Sequence, residues 1–183
     1  MIEGRRVMSE YARYYREYLH GFENMNLVVT AGTLGIRESR RIACDYMLSG
    51  EDFLRRAVFD DEIGRYCYPV DLHVNATDKA RYQRFWKEFS TDYRYAKGES
   101  YGIPYRSLCP VSLSNVLVAG RCIGTDRRMQ ASIRVMPGCF ITGQAAGAAA
   151  TLALETQDIR SVQAQTLQSA LLKLGVYLPN AHP

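Results

Sequence analysis

Apolar side chains between residues 3 and 20 return at near-helical spacing: Val7, Tyr11, Tyr14, Tyr15 and Leu19. The stripe predicts an amphipathic helix, and Gly21 is its natural stop. Residues 26–31 carry the β-branched run Val28, Val29 and Thr30, which predicts a strand. Residues 37–48 fit no single period, and Tyr46 to Leu48 suit a sheet edge. A helix start is expected at Ser49, running to about Arg56. Its match to a capping box is loose, because the acid three residues on is Asp52 rather than glutamate or glutamine. Short strands are expected within residues 58–73. Pro104 and Pro110 exclude a helix interior and predict an extended segment over 101–110. The charged and aromatic stretch 76–98, with the single tryptophan Trp86, reads as a surface insertion or loop.

Residues 115–154 are the most informative. NVLVA at 115–119 is a short apolar run ending at Gly120, the pattern of a buried parallel strand. A polar loop follows, then Pro137, which suits the first turn of a helix. Small residues dominate from Gly138 to Leu154. Gly143 and Gly147 lie four apart, giving one face that lets a sheet or a flat ligand approach closely. A strand, a loop and a bare helix N-terminus form a common site for an anionic cofactor. A last helix is expected over 161–173, with Val162, Leu167, Leu171 and Leu174 facing inward and Gly175 ending it.

Composition adds limits. The 183 residues suit one domain, or one and part of another, and 47% hydrophobic residues suffice for a core. No apolar run approaches a membrane span, and no signal peptide is visible, so a cytoplasmic protein is expected. A net charge of +4 is too mild and too scattered for a general nucleic-acid surface. The five cysteines, Cys44, Cys67, Cys109, Cys122 and Cys139, include no C-x-x-C pair. Their scatter argues against a disulfide framework and against a closed metal site. Cys139 stands apart, because a helix N-terminus lowers a thiol pKa.

Five segments taken in order resemble the FAD-dependent oxidoreductases of the glutathione-reductase-like two-dinucleotide fold, and more closely a bacterial subfamily of them. They are GIRESRRI at 35–42, YPVDLH at 68–73, IPYRSL at 103–108, NVLVAGR at 115–121 and ASIRVMP at 131–137. The resemblance covers nearly the whole chain but only the later part of the family's length. The GxGxxG fingerprint that carries the cofactor pyrophosphate is missing, and GTLG at 32–35 is its nearest approach. The expectation is therefore the C-terminal part of an α/β flavoprotein with an incomplete Rossmann sheet. Residues 1–110 would form a substrate-side region, and 111–183 the flavin-closing strand, loop and helices.

The resemblance implies FAD as cofactor, weakly held or absent here, and hydride transfer to or from an unknown small molecule. Its cofactor-binding set would be Gly120, Arg121, Asp126, Arg134, Pro137, Gly138, Gly143 and Gln144. Arg134 would contact the flavin or an anionic substrate, or form a structural salt bridge. Asp126 would touch cofactor hydroxyls or phosphate, or be solvated charge. Arg37 would anchor substrate, or belong with Glu38, Arg40 and Arg41 to a solvated charged face. Asp71 and His73, two apart, would share a face of a strand as a base and its orienting carboxylate, as a metal half-site without an apparent third ligand, or as a hydrogen-bonded surface pair. Tyr101, Tyr105 and Arg106 would line a pocket, or the aromatics would be core. Expected partners are the missing N-terminal Rossmann half or a second copy of the chain, with neither nucleic acid nor membrane. The competing expectation is a folded module without catalysis that does not hold FAD.

Overall fold

The computed structural model describes residues 2–72 and 79–181. Contacts divide the chain into two units, Met1–Ile36 and Arg37–Pro183. In the first, helix α1 spans Ile2–Tyr18 and ends where Gly21 takes a left-handed φ of 89°. Its tyrosines pack along one side, with Tyr14 and Tyr18 ring centroids 5.1 Å apart. The expected strand at 26–31 does not form. Val28 and Val29 are almost fully exposed, and β-branched residues make a strand only where a neighbouring backbone accepts their hydrogen bonds.

The second unit is a mixed α/β body. Helix α2 (Gly50–Leu54) starts at a complete capping box. Ser49 Oγ accepts from the Asp52 N–H, and the Asp52 carboxylate accepts from the Ser49 N–H. Aspartate is long enough to close the box. Strand β1 (Glu62–Tyr66) pairs antiparallel with β2 (Tyr101–Pro104), with Arg65 opposite Gly102 and Tyr66 opposite Tyr101. Between them, residues read as a surface insertion or loop form helix α3 (Lys79–Thr91). The chain after β2 tightens into a 3-10 turn at Tyr105–Leu108.

The run 115–119 is extended but joins no sheet, and Val116 stays 40% exposed. Its Val118 N–H finds the Leu108 carbonyl at 2.9 Å, which is a loop contact rather than a ladder. A 3-10 turn at Gly120–Cys122 follows. The expected polar loop then contains helix α4 (Arg127–Ile133), capped by the Asp126 carboxylate on the Met129 N–H at 2.7 Å. Helix α5 (Met136–Leu152) begins with Pro137 in its first turn, as expected, and α6 spans Ala164–Lys173. Leu167 and Leu171 face inward, but Leu174 is exposed.

The core lies where α5 and α6 cover β1 and β2. Phe53, Tyr101, Ile63 and Ile103 are fully buried there, each adding about 1.5–3 kcal/mol of transfer free energy. The close helix–sheet approach uses a strand glycine. A Cβ on Gly64 would stand 2.5 Å from Ile141 Cγ2, whereas Gly143 and Gly147 of α5 meet nothing within 4 Å. The small-residue face of α5 is thus turned away from the sheet, contrary to the packing option read from its sequence. Tyr101 and Tyr105 are core residues, their hydroxyls bonded to Ser132 Oγ (3.0 Å) and the Ile159 carbonyl (2.8 Å).

Candidate functional site

Helices α4 and α5 are joined at Arg134 and Val135, and the joint opens on a cleft of about 330 Å³. Its walls come from distant parts of the sequence: Arg37, Tyr66 at the end of β1, Tyr68, Arg121, Arg134 and the first residues of α5. The N-cap Val135 offers no side-chain acceptor, so the amide end of a 17-residue helix meets the cleft without a capping group. That end carries a partial positive charge.

Electrostatics are built around two carboxylates. Asp71 takes Arg37 Nη2 at 2.5 Å and lies 3.7 Å from Arg134 Nη2, which also donates to the Asp71 carbonyl at 2.8 Å. Glu38 lies 3.6 Å from Arg134 Nη1, 3.2 Å from Arg127 Nε and 3.9 Å from Arg41 Nη1. Arg134 is buried at 6% exposure, yet its Nε–H has no partner among the described residues. Burial pushes the Tyr66 phenol up to about 12, against the opposing pull of the Gly138 backbone amide, so it stays protonated at neutral pH. The Tyr66 and Tyr68 rings stand 17° from parallel and give the cleft an aromatic wall.

Five of the sequence-derived candidates therefore meet in one place: Arg37, Asp71, Arg121, Arg134 and Pro137. Arg121 Nε donates to the Arg134 carbonyl at 3.4 Å. The Cys139 thiol leans on the same oxygen at 3.5 Å. Burial raises the Cys139 pKa, and the nearby Arg121 charge only partly offsets this. Burial therefore works against the lowering expected at a helix end.

The remaining candidates lie elsewhere or have other work. Gly120 has φ of +72° and donates to Thr142 Oγ1 at 2.9 Å, which seats the turn on α5. Gly138 is buried, and a Cβ there would stand 2.3 Å from the Ile133 carbonyl oxygen. Its lack of a side chain serves the α4–α5 joint. Asp126 spends one oxygen on its helix cap and the other on the Gly50 N–H at 2.8 Å. Gly143 and Gln144 sit on the exposed face of α5, beyond the cleft. His73 lies outside the described residues.

Sequence reasoning missed Glu38, Tyr66 and Tyr68. The alternation of Tyr66 and Tyr68 at strand spacing next to YPVDLH was the available signal. A larger cavity of about 560 Å³ lies between Asn115, Leu117 and the Ala146–Ala150 side of α5. Its lining holds no charged side chain, which makes it the poorer place for chemistry. Among the described residues, no group of three or more His, Cys, Asp or Glu side chains is arranged to hold a metal ion.

The model of a family described as FAD dependent oxidoreductase matches residues 1–171. No curated protein and no solved structure matches the chain significantly.

Proposed function

The chain belongs to the FAD dependent oxidoreductase family, and from that membership we propose that the cleft at the head of α5 is where the flavin edge and a small-molecule substrate meet. The observation that carries the reading is the meeting of Arg37, Asp71, Arg121 and Arg134 at an uncapped helix N-terminus. On this reading the chain is the later part of a glutathione-reductase-like protein, of bacterial type. Residues 1–110 belong to the substrate side and 111–183 to the flavin-closing side. Arg37 anchors substrate and Arg134 orients it.

The residues present fit one end of FAD and not the whole of it. The α5 amide end and Arg121 suit the polar rim of the isoalloxazine. The sequence offers no glycine-rich cradle for a pyrophosphate. When bound, FAD supplies the two-electron hydride chemistry, and the protein contributes position and field. The Asp71 and Glu38 carboxylates hold the arginines in register, and the Tyr66 hydroxyl remains a proton-bearing donor at neutral pH.

A second reading has its own observation. Met136 and Phe140, both about 70% exposed, line one face of α5 with Gly143 and Gly147, and Leu154, just past the end of the helix, is as exposed. An apolar stripe of this kind marks a contact surface. We assign it to a dinucleotide-binding half or, without one, to a second copy of the chain, in which case the chain is a module that holds little FAD. Photolabelling with an azido-FAD, followed by peptide mapping, tests the first reading even at weak affinity. Label on residues 120–144 is expected. Label confined to other segments removes the flavin from this cleft.

A further inference from the structure

From Asn24 to Ile36 the chain carries no charged side chain and no proline. Its middle is the β-branched run Val28, Val29 and Thr30, which favours a strand. That run stands in water. Val28 is 93% exposed and Val29 79%, with Leu34 and Ile36 exposed beyond them. Among the described residues, none is hydrogen-bonded to the backbone of residues 26–35. The segment therefore presents open amide and carbonyl groups together with apolar side chains, which is the chemistry of an unpaired strand.

Proteins guard open strands with charge, proline or a covering element. The chain's own sheet has such guards: β1 carries Glu62 and Arg65, and β2 ends at Pro104. The uncharged run 111–119 is tied down instead, its Val111 and Val118 amides bonded to the Ala43 and Leu108 carbonyls. Residues 24–36 have neither protection. Helix α1 backs them on one side, where Gly4, Arg5 and Met8 line a cavity of about 280 Å³ with Val29, Thr30 and Leu34. A strand pair laid there rests on a helix, the support that an isolated pair lacks.

The occupant must bring an extended backbone free of charge, with apolar side chains. Sheet edges of other proteins are commonly guarded by the charges and prolines that this segment lacks, whereas a second copy of the segment matches it throughout. Antiparallel pairing about a two-fold axis is self-complementary. Centred on Val28, it sets Leu27 of one copy opposite Val29 of the other, and Asn26 opposite Thr30. Such β-branched and aliphatic pairs are favourable, and no like charges meet. We propose that residues 26–30 become a β-strand by pairing antiparallel with the same segment of a second copy of the chain. The strand expected from the sequence then forms on dimerisation.

Hydrogen exchange read by mass spectrometry on the peptide covering 24–36 tests this with the full chain. Amides of 26–30 should exchange at least about tenfold more slowly when the chain concentration is raised roughly a hundredfold. Val28→Lys and Val28→Glu change a side chain that makes no core contact, so both variants keep their fold. Each alone sets like charges opposite each other and should lose the protection. Mixing the two sets lysine opposite glutamate and should restore it. Association through the α5 face leaves these amides unchanged, so Phe140→Gln should keep the protection.

Exchange at 26–30 that ignores concentration overturns the proposal, as does protection that survives in Val28→Lys alone. A mixture of the two variants that stays unprotected overturns it as well. Protection that appears only when the dinucleotide-binding half of a family member is added assigns the strand to that partner and rules out the pairing of two copies.

Discussion

Arg134 and Asp71 are held together twice, through backbone and through side chain. The Arg134 guanidinium donates to the Asp71 carbonyl at 2.8 Å and lies 3.7 Å from its carboxylate. A segment from after β1 is thereby fixed to the joint between α4 and α5. Arg134→Ala should therefore lower stability as well as any ligand affinity. Loss of these contacts costs about 1–3 kcal/mol, the partners being only partly buried. Urea denaturation measures it. An unchanged midpoint would mean that Arg134 serves ligand binding alone.

Two glycines of α5 should respond in opposite ways. Gly138→Ala drives a methyl to 2.3 Å from the Ile133 carbonyl oxygen, and the backbone there has nowhere to go. The expected loss is about 3 kcal/mol. Gly143→Ala meets nothing within 4 Å and gains helix propensity, about 1 kcal/mol. Thermal melts of both variants check the pair. A Gly138→Ala protein as stable as wild type would contradict the packing at the α4–α5 joint.

What was legible in the sequence was local. Gly21, the Ser49 cap, Pro137 and the inward pair Leu167 and Leu171 of α6 each act within a turn or two, and each appears where expected. The extended run 115–119 was misread because a strand needs a partner, and apolar composition alone names none. Helix α4 was missed although Asp126 stood ready as its cap; Arg127 and Arg128 made the segment resemble a solvated loop. The pairing of Arg37 with Asp71 spans 34 residues, so no periodicity reveals it. Only the resemblance placed both on one side of the site. The burial of Arg134 follows from tertiary packing and had no local sign.

Asp52 ties a pH dependence to the capping box. Burial alone would raise its pKa, but bonds from the Ser49 N–H, Arg55, Ser49 Oγ and the Tyr46 hydroxyl outweigh this and hold it below the usual value. A carboxyl lowered on folding stabilises the protein above its unfolded pKa, near 4, and that contribution is lost as pH falls through the folded value. Asp52→Asn should cost about 1 kcal/mol at neutral pH. The gap from wild type should close in acid, once pH falls below the folded value of Asp52. Denaturant titrations at neutral and acid pH test this, and a gap that widens in acid would reverse the assigned sign.

Thiol labelling should separate the cysteines by burial. Cys67 is exposed and should be alkylated first by iodoacetamide. Cys44 and Cys109 are buried, and desolvation pushes each up to about 11, so they should react only after unfolding. Cys139, raised by the same cause, should trail Cys67 despite its place in the first turn of α5. Peptide mapping over a time course gives the order. Cys139 reacting first would restore the activating role of the helix end.

The exposed face of α5 carries the last expectation. Phe140 and Met136 are each 68% exposed, and Leu154, just past the end of the helix, is 71% exposed. Gly143 and Gly147 leave the surface between them nearly flat, which lets another backbone lie close. Water contact over such a stripe is unfavourable by about 25 cal/mol for each Å² of apolar surface, so the purified chain should associate with itself when no dinucleotide-binding half is supplied. Phe140→Gln removes the largest ring from the stripe without touching the core. Sedimentation velocity should then show the variant shifted toward the 20.7 kDa monomer, with its melting temperature nearly unchanged. A wild-type chain that is monomeric at every concentration tested would show that this face needs no partner.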